Sequence, residues 1–374
     1  MYELFAVVAP GIEKIAAREI NALGITNLQI ENGGISFQGE LKEIYRLNLN
    51  LRTVSRILVR FGTFHASAFS ELEKKASRLP WELFLIPGQS LTVRATCHKS
   101  RLYHSDGVIE RVVSAIEDHL GFKISNNNTQ NAESSDGQQM VLVRLFNDNC
   151  TISMDTSGEL LHRRGYRLAT TKAPLRETLA AAIILASDWE FDKPLLDPFC
   201  GSGTIPIESA QMAMGIPAGI NRRFSFMSWP GFDERSWLLL VENHKIISTS
   251  KLPIILASDR DAGAIEMARA NAERAGVLDF IQFECKAISA ITPPRAPGWV
   301  ITNPPYGIRV NSNKDLRNLY AQAGKVLKAQ CKEWKASFLV SDPMLVSQTG
   351  FKHEPILKFK NGGIQVTLES CLIT

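Results

Sequence analysis

From Gly158 to the C-terminus, short apolar runs alternate with helical repeats, and that alternation leaves few folds open to the chain. Strand-like runs stand at Pro194–Asp197, Pro253–Asp259, Phe280–Phe283, Trp299–Thr302, Ala336–Val340, Ile356–Phe359 and Ile364–Leu368. Helical periodicity falls at Ile205–Met214, Ala262–Ala275, Lys314–Ala329 and Pro343–Gln348. The pattern predicts an α/β unit over 158–374: an open, mostly parallel sheet of seven strands, with ligands at the carboxyl ends of the strands. A long stretch, Gly215–Lys251, separates the first of these helices from the second strand.

The first 157 residues read differently. Strands at Leu4–Val8, Leu28–Ile30, Ile35–Phe37 and Ser55–Phe61, with helices at Ile12–Leu23 and Leu41–Leu51, give a β-α-β-β-α-β order. That is the rhythm of a small ferredoxin-like α+β domain, expected over 1–62. A second α+β unit is expected over 63–157. It has helices at Ala66–Ala76 and Ser105–Leu120 and strands at Ser90–Ala95, Met140–Phe146 and Cys150–Asp155. Within it Ser125–Gln139 holds one apolar residue and reads as a mobile loop, because it has too little surface to bury.

With 45% apolar and 21% charged residues, disordered and fibrous classes are excluded. No apolar run approaches the roughly 20 residues of a membrane span, and the N-terminus lacks the basic region of a signal peptide. Six cysteines without C-x-x-C spacing argue against a disulfide framework or zinc site and fit a reducing cytoplasm. The histidines show no metal-ligand spacing either. The net charge of +4 permits a polyanionic partner without requiring one.

Leu195-Leu196-Asp197-Pro198-Phe199-Cys200-Gly201-Ser202-Gly203-Thr204 runs from an apolar strand into a helix. Gly201 and Gly203 allow positive φ and close approach of a ligand to the backbone. The turn lacks the lysine of a nucleoside-triphosphate loop and the third glycine of a dinucleotide fingerprint. Asp197 repels a pyrophosphate and suits the ammonium of S-adenosylmethionine. At the end of the next strand Asp259 suits ribose hydroxyls, and Asp261 suits the N-cap of the following helix.

Asn303-Pro304-Pro305-Tyr306 follows another apolar strand. Consecutive prolines make a rigid corner that holds the Asn303 side chain and the Pro304 carbonyl as convergent acceptors, with Tyr306 as a stacking face. These parts suit methylation of an exocyclic amine, a poor nucleophile until its N–H groups are drawn toward acceptors. A base inside a helix cannot reach such a corner, so it must be unpaired or flipped.

DPFCGSGT, SDRD and NPPYG, in this order, resemble a class I S-adenosylmethionine-dependent N-methyltransferase with a Rossmann-like fold. Leu161-His162-Arg163-Arg164-Gly165-Tyr166-Arg167 and Ala173–Ala182 narrow the likeness to THUMP-containing RNA guanine-N2 methyltransferases, most closely the bacterial large-subunit rRNA members. The resemblance covers essentially the whole chain. It implies that Asp197, Phe199, Gly201, Gly203 and Thr204 hold the methionine part of the cofactor, Asp259 the ribose, and Thr178 a further contact. It implies that Asn303, Pro304, Pro305 and Tyr306 receive the guanine amine. The unit at 63–157 becomes the THUMP domain, which grips RNA together with the ferredoxin-like domain. Relatives carry an Asp that contacts adenine after the third strand, where this chain has Ala287, implying weaker cofactor binding. The chain also matches only the N-terminal half of a fused, double-methyltransferase version, so one activity is expected.

For RNA contacts the candidates are Lys99, Arg101 and His104 before a THUMP helix, Arg163 and Arg164 between domains, and Arg222 and Arg223 in an aromatic-basic run. Lone basic residues also serve merely as solvated surface, Arg163 and Arg164 could equally pair with nearby carboxylates, and Phe224 and Phe226 suit a hydrophobic cover equally well. The implied partner is 23S rRNA or a large-subunit precursor, with tRNA the alternative and neither membrane nor metal expected. A non-catalytic assembly factor with a methyltransferase fold is the rival of a different class.

Overall fold

A computed structural model of the chain describes residues 1–126, 138–167, 175–244, 252–305 and 313–374. Residues 2–155 build one eight-stranded sheet. Its elements are β1 (Tyr2–Val8), α1 (Glu13–Ala22), β2 (Gln29–Glu31), β3 (Gly34–Gly39), α2 (Leu41–Asn50) and β4 (Val54–His65), then α3 (Phe69–Ala76), β5 (Ser90–His98), α4 (Ser105–Leu120), β6 (Ser125–Asn126), β7 (Gln139–Phe146) and β8 (Asn149–Asp155). The strand order is β2-β3-β1-β4-β8-β7-β5-β6.

Local sequence explains these elements. A capping box joins Glu40 and Glu43 at the start of α2, and Gly121 ends α4 in the left-handed conformation. The 12-residue β4 is the pivot of the sheet. Its first half pairs antiparallel with β1 and its second half with β8, so it passes through the boundary expected at 62/63. The ferredoxin-like and THUMP units thus share one uninterrupted hydrogen-bonded sheet.

The remainder of the chain holds α5 (Glu177–Ala186), β9 (Leu195–Asp197), α6 (Thr204–Ala213), α7 (Glu234–Glu242), β10 (Ile255–Asp259), α8 (Ala262–Arg274) and β11 (Ile281–Cys285), then β12 (Trp299–Thr302), α9 (Asn313–Gln330), β13 (Lys335–Val340), α10 (Pro343–Ser347), β14 (Glu354–Asn361) and β15 (Ile364–Leu372). The order β11-β10-β9-β12-β13-β15-β14 is parallel from β11 to β13, and β15 enters antiparallel. This is the seven-stranded, mostly parallel sheet that the alternation predicts. Both its faces are buried: Leu195, Ile301 and Leu339 point into one core, and Leu196, Val300 and Phe338 into the other. The first core is continuous with that of the eight-stranded sheet, so the halves of the molecule share apolar packing. Among the described residues no helix is long and apolar enough to cross a membrane, and all six cysteines are free.

The polar run at 125–139 needs correction at both ends; residues 127–137 of that expected loop lie outside the described residues. Ser125 and Asn126 form β6, and Gln139 opens β7. Gln139 is fully buried, donating to Ser225 O (3.1 Å) and accepting from Trp229 Nε1 (3.0 Å). Amides that find partners bury without penalty, which composition alone does not reveal.

Candidate cofactor and substrate site

The glycine turn joins β9 to α6. Gly201 and Gly203 have φ of +52° and +83°, and a Cβ on Gly203 would stand 3.0 Å from that of Ala268 on α8. A side chain at 203 therefore meets both a backbone and a packing barrier. The turn is tied down on several sides. Gly201 N donates to Asp259 Oδ2 (3.0 Å), Asn271 Nδ2 donates to Ser202 O (3.0 Å), and Arg167 donates to the Thr204 hydroxyl. The other oxygen of Asp259 accepts from Asp261 N (3.0 Å). Asp261 itself caps α8, accepting from the amides of Gly263 and Ala264, as expected.

Asp197, at the end of β9, is buried. Its Oδ1 accepts from Thr302 Oγ1 (2.6 Å) and from Phe199 N (3.2 Å), and no ion pair reaches it among the described residues. Burial pushes its carboxyl up to about 7, against the opposing pull of those two donors. The Thr302 bond exists because β12 lies directly beside β9, in register from Trp299 against Leu195. The two sequence motifs thereby meet. Asn303, the residue after Thr302, has a buried Oδ1 that no described residue satisfies, with Pro304 buried and Pro305 half-buried beyond it. Tyr306 lies outside the described residues. Thr178 is buried on α5, and Ala287 is exposed at the start of the turn after β11.

A buried ionic cluster stands behind the turn. Glu208, one helical turn along α6 from Thr204, is fully buried and takes Arg52 Nη1 (3.2 Å), Arg164 Nε (3.4 Å) and the Tyr166 hydroxyl (3.3 Å). Arg167 pairs with the buried Glu177 (3.3 Å) and donates to Leu175 O (3.1 Å). Arg52 comes from the eight-stranded half, so that half is bonded to the helix that carries the glycine turn.

Two proposed RNA contacts need correction. Arg164 is buried, spending its guanidinium on Glu208, Leu161 O and Arg52 O (2.6 Å), and offers nothing to a phosphate. Arg222 donates to the carbonyls of Leu160 (2.7 Å), Arg163 (2.9 Å) and Glu159 (2.6 Å); burial lowers its pKa to about 10. Nearby, Phe224 and Phe226 stack in the core at 5.4 Å, the cover rather than a base platform. Arg163 and Arg223 are exposed, with Arg163 pairing to Glu159 (3.1 Å). Lys99, Arg101 and His104 are exposed together in the loop between β5 and α4, where Arg101 N donates to Asp148 Oδ1 (2.7 Å). Sequence reasoning missed Thr302, Glu177 and Glu208 as parts of this arrangement. Thr302 stood next to Asn303, but Glu208 carried no local signal.

Three family descriptions match in succession: an RlmL ferredoxin-like domain over residues 3–58, a THUMP domain over 66–155, and an RMKL-like methyltransferase domain over 164–369. A Synechocystis protein named as an RNA methyltransferase is 33% identical over 97% of this chain and 95% of its own length. The ribosomal RNA large subunit methyltransferase K/L of Psychromonas ingrahamii is 33% identical over all of this chain, which spans only 50% of that protein. A methyltransferase crystallised with SAH superposes with a TM-score of 0.89 at 31% identity, over 99% of this chain and 97% of the other. The chain belongs to the RMKL-like methyltransferase family, in its form with RlmL-type ferredoxin-like and THUMP domains.

Proposed function

We propose that this chain transfers a methyl group from S-adenosylmethionine to the exocyclic N2 of a guanosine in 23S rRNA, in the cytoplasm. The observation that carries the reading is that Asp197 and Asn303 stand at the ends of adjacent strands. Among the described residues, one is a buried carboxyl group without a cation, the other a buried carbonyl without a donor.

The residues fit the cofactor. Asp197 offers a carboxylate to its ammonium, Asp259 retains acceptor capacity for ribose hydroxyls, and the Gly201–Gly203 turn keeps side chains out of the way. Phe199, Thr204 and Thr178 line the same region by resemblance. When bound, the cofactor supplies an electrophilic methyl group. Asn303 Oδ1 and the Pro304 carbonyl accept the two amine N–H bonds, drawing electron density onto the nitrogen as it becomes positively charged. Pro305 stiffens the corner, and Tyr306 stacks on the base and orients it. The proton leaves easily once the nitrogen is alkylated, so no strong base is required of the protein. Lys99, Arg101, His104, Arg163 and Arg223 remain the proposed phosphate contacts.

The test offers labelled cofactor with unmodified 23S rRNA and, separately, unmodified tRNA, identifying the labelled nucleoside by mass spectrometry. N2-methylguanosine in 23S rRNA, lost in Asn303→Ala, is the expected result. Label in tRNA alone overturns the substrate. No label in either RNA or in a large-subunit precursor, despite cofactor binding, favours the non-catalytic assembly factor.

A further inference from the structure

In the THUMP half of the eight-stranded sheet, α3 packs on α4 and α4 on β5. On β5 and β7 the residues Val93, Val141, Val143 and Leu145 point into the core, while Thr96, His98, Arg144 and Phe146 are exposed on the other face. Parallel register sets Thr96 beside Arg144 and His98 beside Phe146. The His98 and Phe146 rings lie 5.7 Å apart and 14° from parallel, and the Arg144 guanidinium stands 5.9 Å from the Phe146 ring. Phe146 is 41% exposed. Just past β5, Tyr103 is 70% exposed with its ring 4.1 Å from that of His104.

The loop that presents Tyr103 is held in place. Asp148 Oδ1 accepts from Arg101 N, and Asp148 N donates to Ser100 Oγ (3.1 Å). Asp148 also pairs with the Arg101 guanidinium (3.8 Å), which offsets its charge. Lys99 and Arg144 have no ion-pair partner among the described residues. The carboxyl ends of β5 and β7 and the loop after β5 thus form a rim that carries two exposed aromatic rings, Phe146 and Tyr103, together with the exposed cations Arg144 and Lys99.

We infer that this rim binds an unpaired RNA strand, with bases stacking on Phe146 and Tyr103 and the intervening phosphates meeting Arg144 and Lys99. The inference rests on the RNA reading above and narrows it. A duplex presents phosphates but hides its base faces, so it answers the cations and leaves the rings in water. An unpaired strand answers both, offering base faces to the rings and phosphates to the cations.

The test uses the full chain and fluorescence anisotropy with a labelled, unstructured RNA of about 12 nucleotides, alone and annealed to its complement. Phe146→Leu keeps the apolar volume and removes the ring. It is expected to weaken strand binding by about tenfold, with Phe146→Trp restoring it and duplex binding moving less than about twofold. Arg144→Ala is expected to weaken strand and duplex alike and to flatten the salt dependence. Strand affinity unchanged in Phe146→Leu, or an equal loss for the duplex, overturns the inference. Calorimetry with S-adenosylhomocysteine runs in parallel. If the wild-type chain fails to bind it, the methyltransferase reading falls, while the strand result still decides this one.

Discussion

The glycine turn at 201–203 and the Asn-Pro-Pro corner at 303–305 end adjacent strands, yet folding finishes them differently. In and beside the turn the Gly201 amide, the Ser202 carbonyl and the Thr204 hydroxyl each have a protein partner. At the corner Asn303 Oδ1 has none among the described residues. A buried polar atom left unmade costs about 1–3 kcal/mol, so the turn contributes to holding the fold and the corner detracts from it. Asp197 lies between these extremes, with hydrogen-bond donors but, among the described residues, no counter-charge. On the proposed reading, the difference separates residues that hold the site's shape from those that receive its ligand.

That contrast breaks most visibly at Glu208. Replacing it by alanine leaves Arg52 and Arg164 buried without their carboxylate. Denaturant titration is expected to show a loss of about 3–5 kcal/mol. Asn303→Ala, in contrast, is expected to leave the unfolding midpoint where it is or raise it slightly. A marked destabilisation there would mean that Asn303 belongs with the structural residues.

Methyl transfer reverses the ranking. Asn303→Ala is expected to lower the single-turnover rate about 10²–10³-fold, with S-adenosylhomocysteine affinity unchanged in calorimetry. A comparable loss of cofactor affinity would merge the two regions into one function.

Proton linkage sharpens the place of Asp197. Its carboxyl titrates near 7, above the usual carboxylate range, because burial disfavours the charge. Below that pH the group must lose a proton before it can accept an ammonium. Affinity for S-adenosylhomocysteine should rise with pH through about 7 and level off above, with a slope approaching tenfold per unit on the acid side. Thr302→Val removes a donor that favours the ionised form and should move the break to higher pH. A flat profile from about pH 5.5 to 8 would remove Asp197 from the ammonium.

The smallest effect expected is at Asp261, where alanine removes the α8 cap at a cost of about 1 kcal/mol, read from the unfolding midpoint. Activity per folded molecule should not change.

Much of this was legible in the residues because it is local. Strand β12 and helix α4 fall where periodicity puts them, and the glycine turn and the Asp261 cap announce themselves within a few positions. Helix α5 did not, because it is buried from Glu177 to Ile184 and so shows no amphipathic period. Helix α7 was lost inside the long stretch after α6. The ionic cluster joins Arg52 to Glu208, 156 positions away, and no spacing rule reaches that far. Arg164 and Arg222 misled for a related reason. Sequence gives the sign of a side chain, and only the packed fold says whether water can reach it.

The strand β4 carries one more consequence. Because it is woven into both N-terminal units, neither can swing against the other without tearing a ladder of backbone bonds, and Arg52 bolts the assembly to α6. The protein therefore works as a fixed gauge rather than a pair of jaws. On the proposed reading, the span from the Phe146 rim to the Asn303 corner is set once, at folding, and an RNA is selected by whether its target base reaches across it.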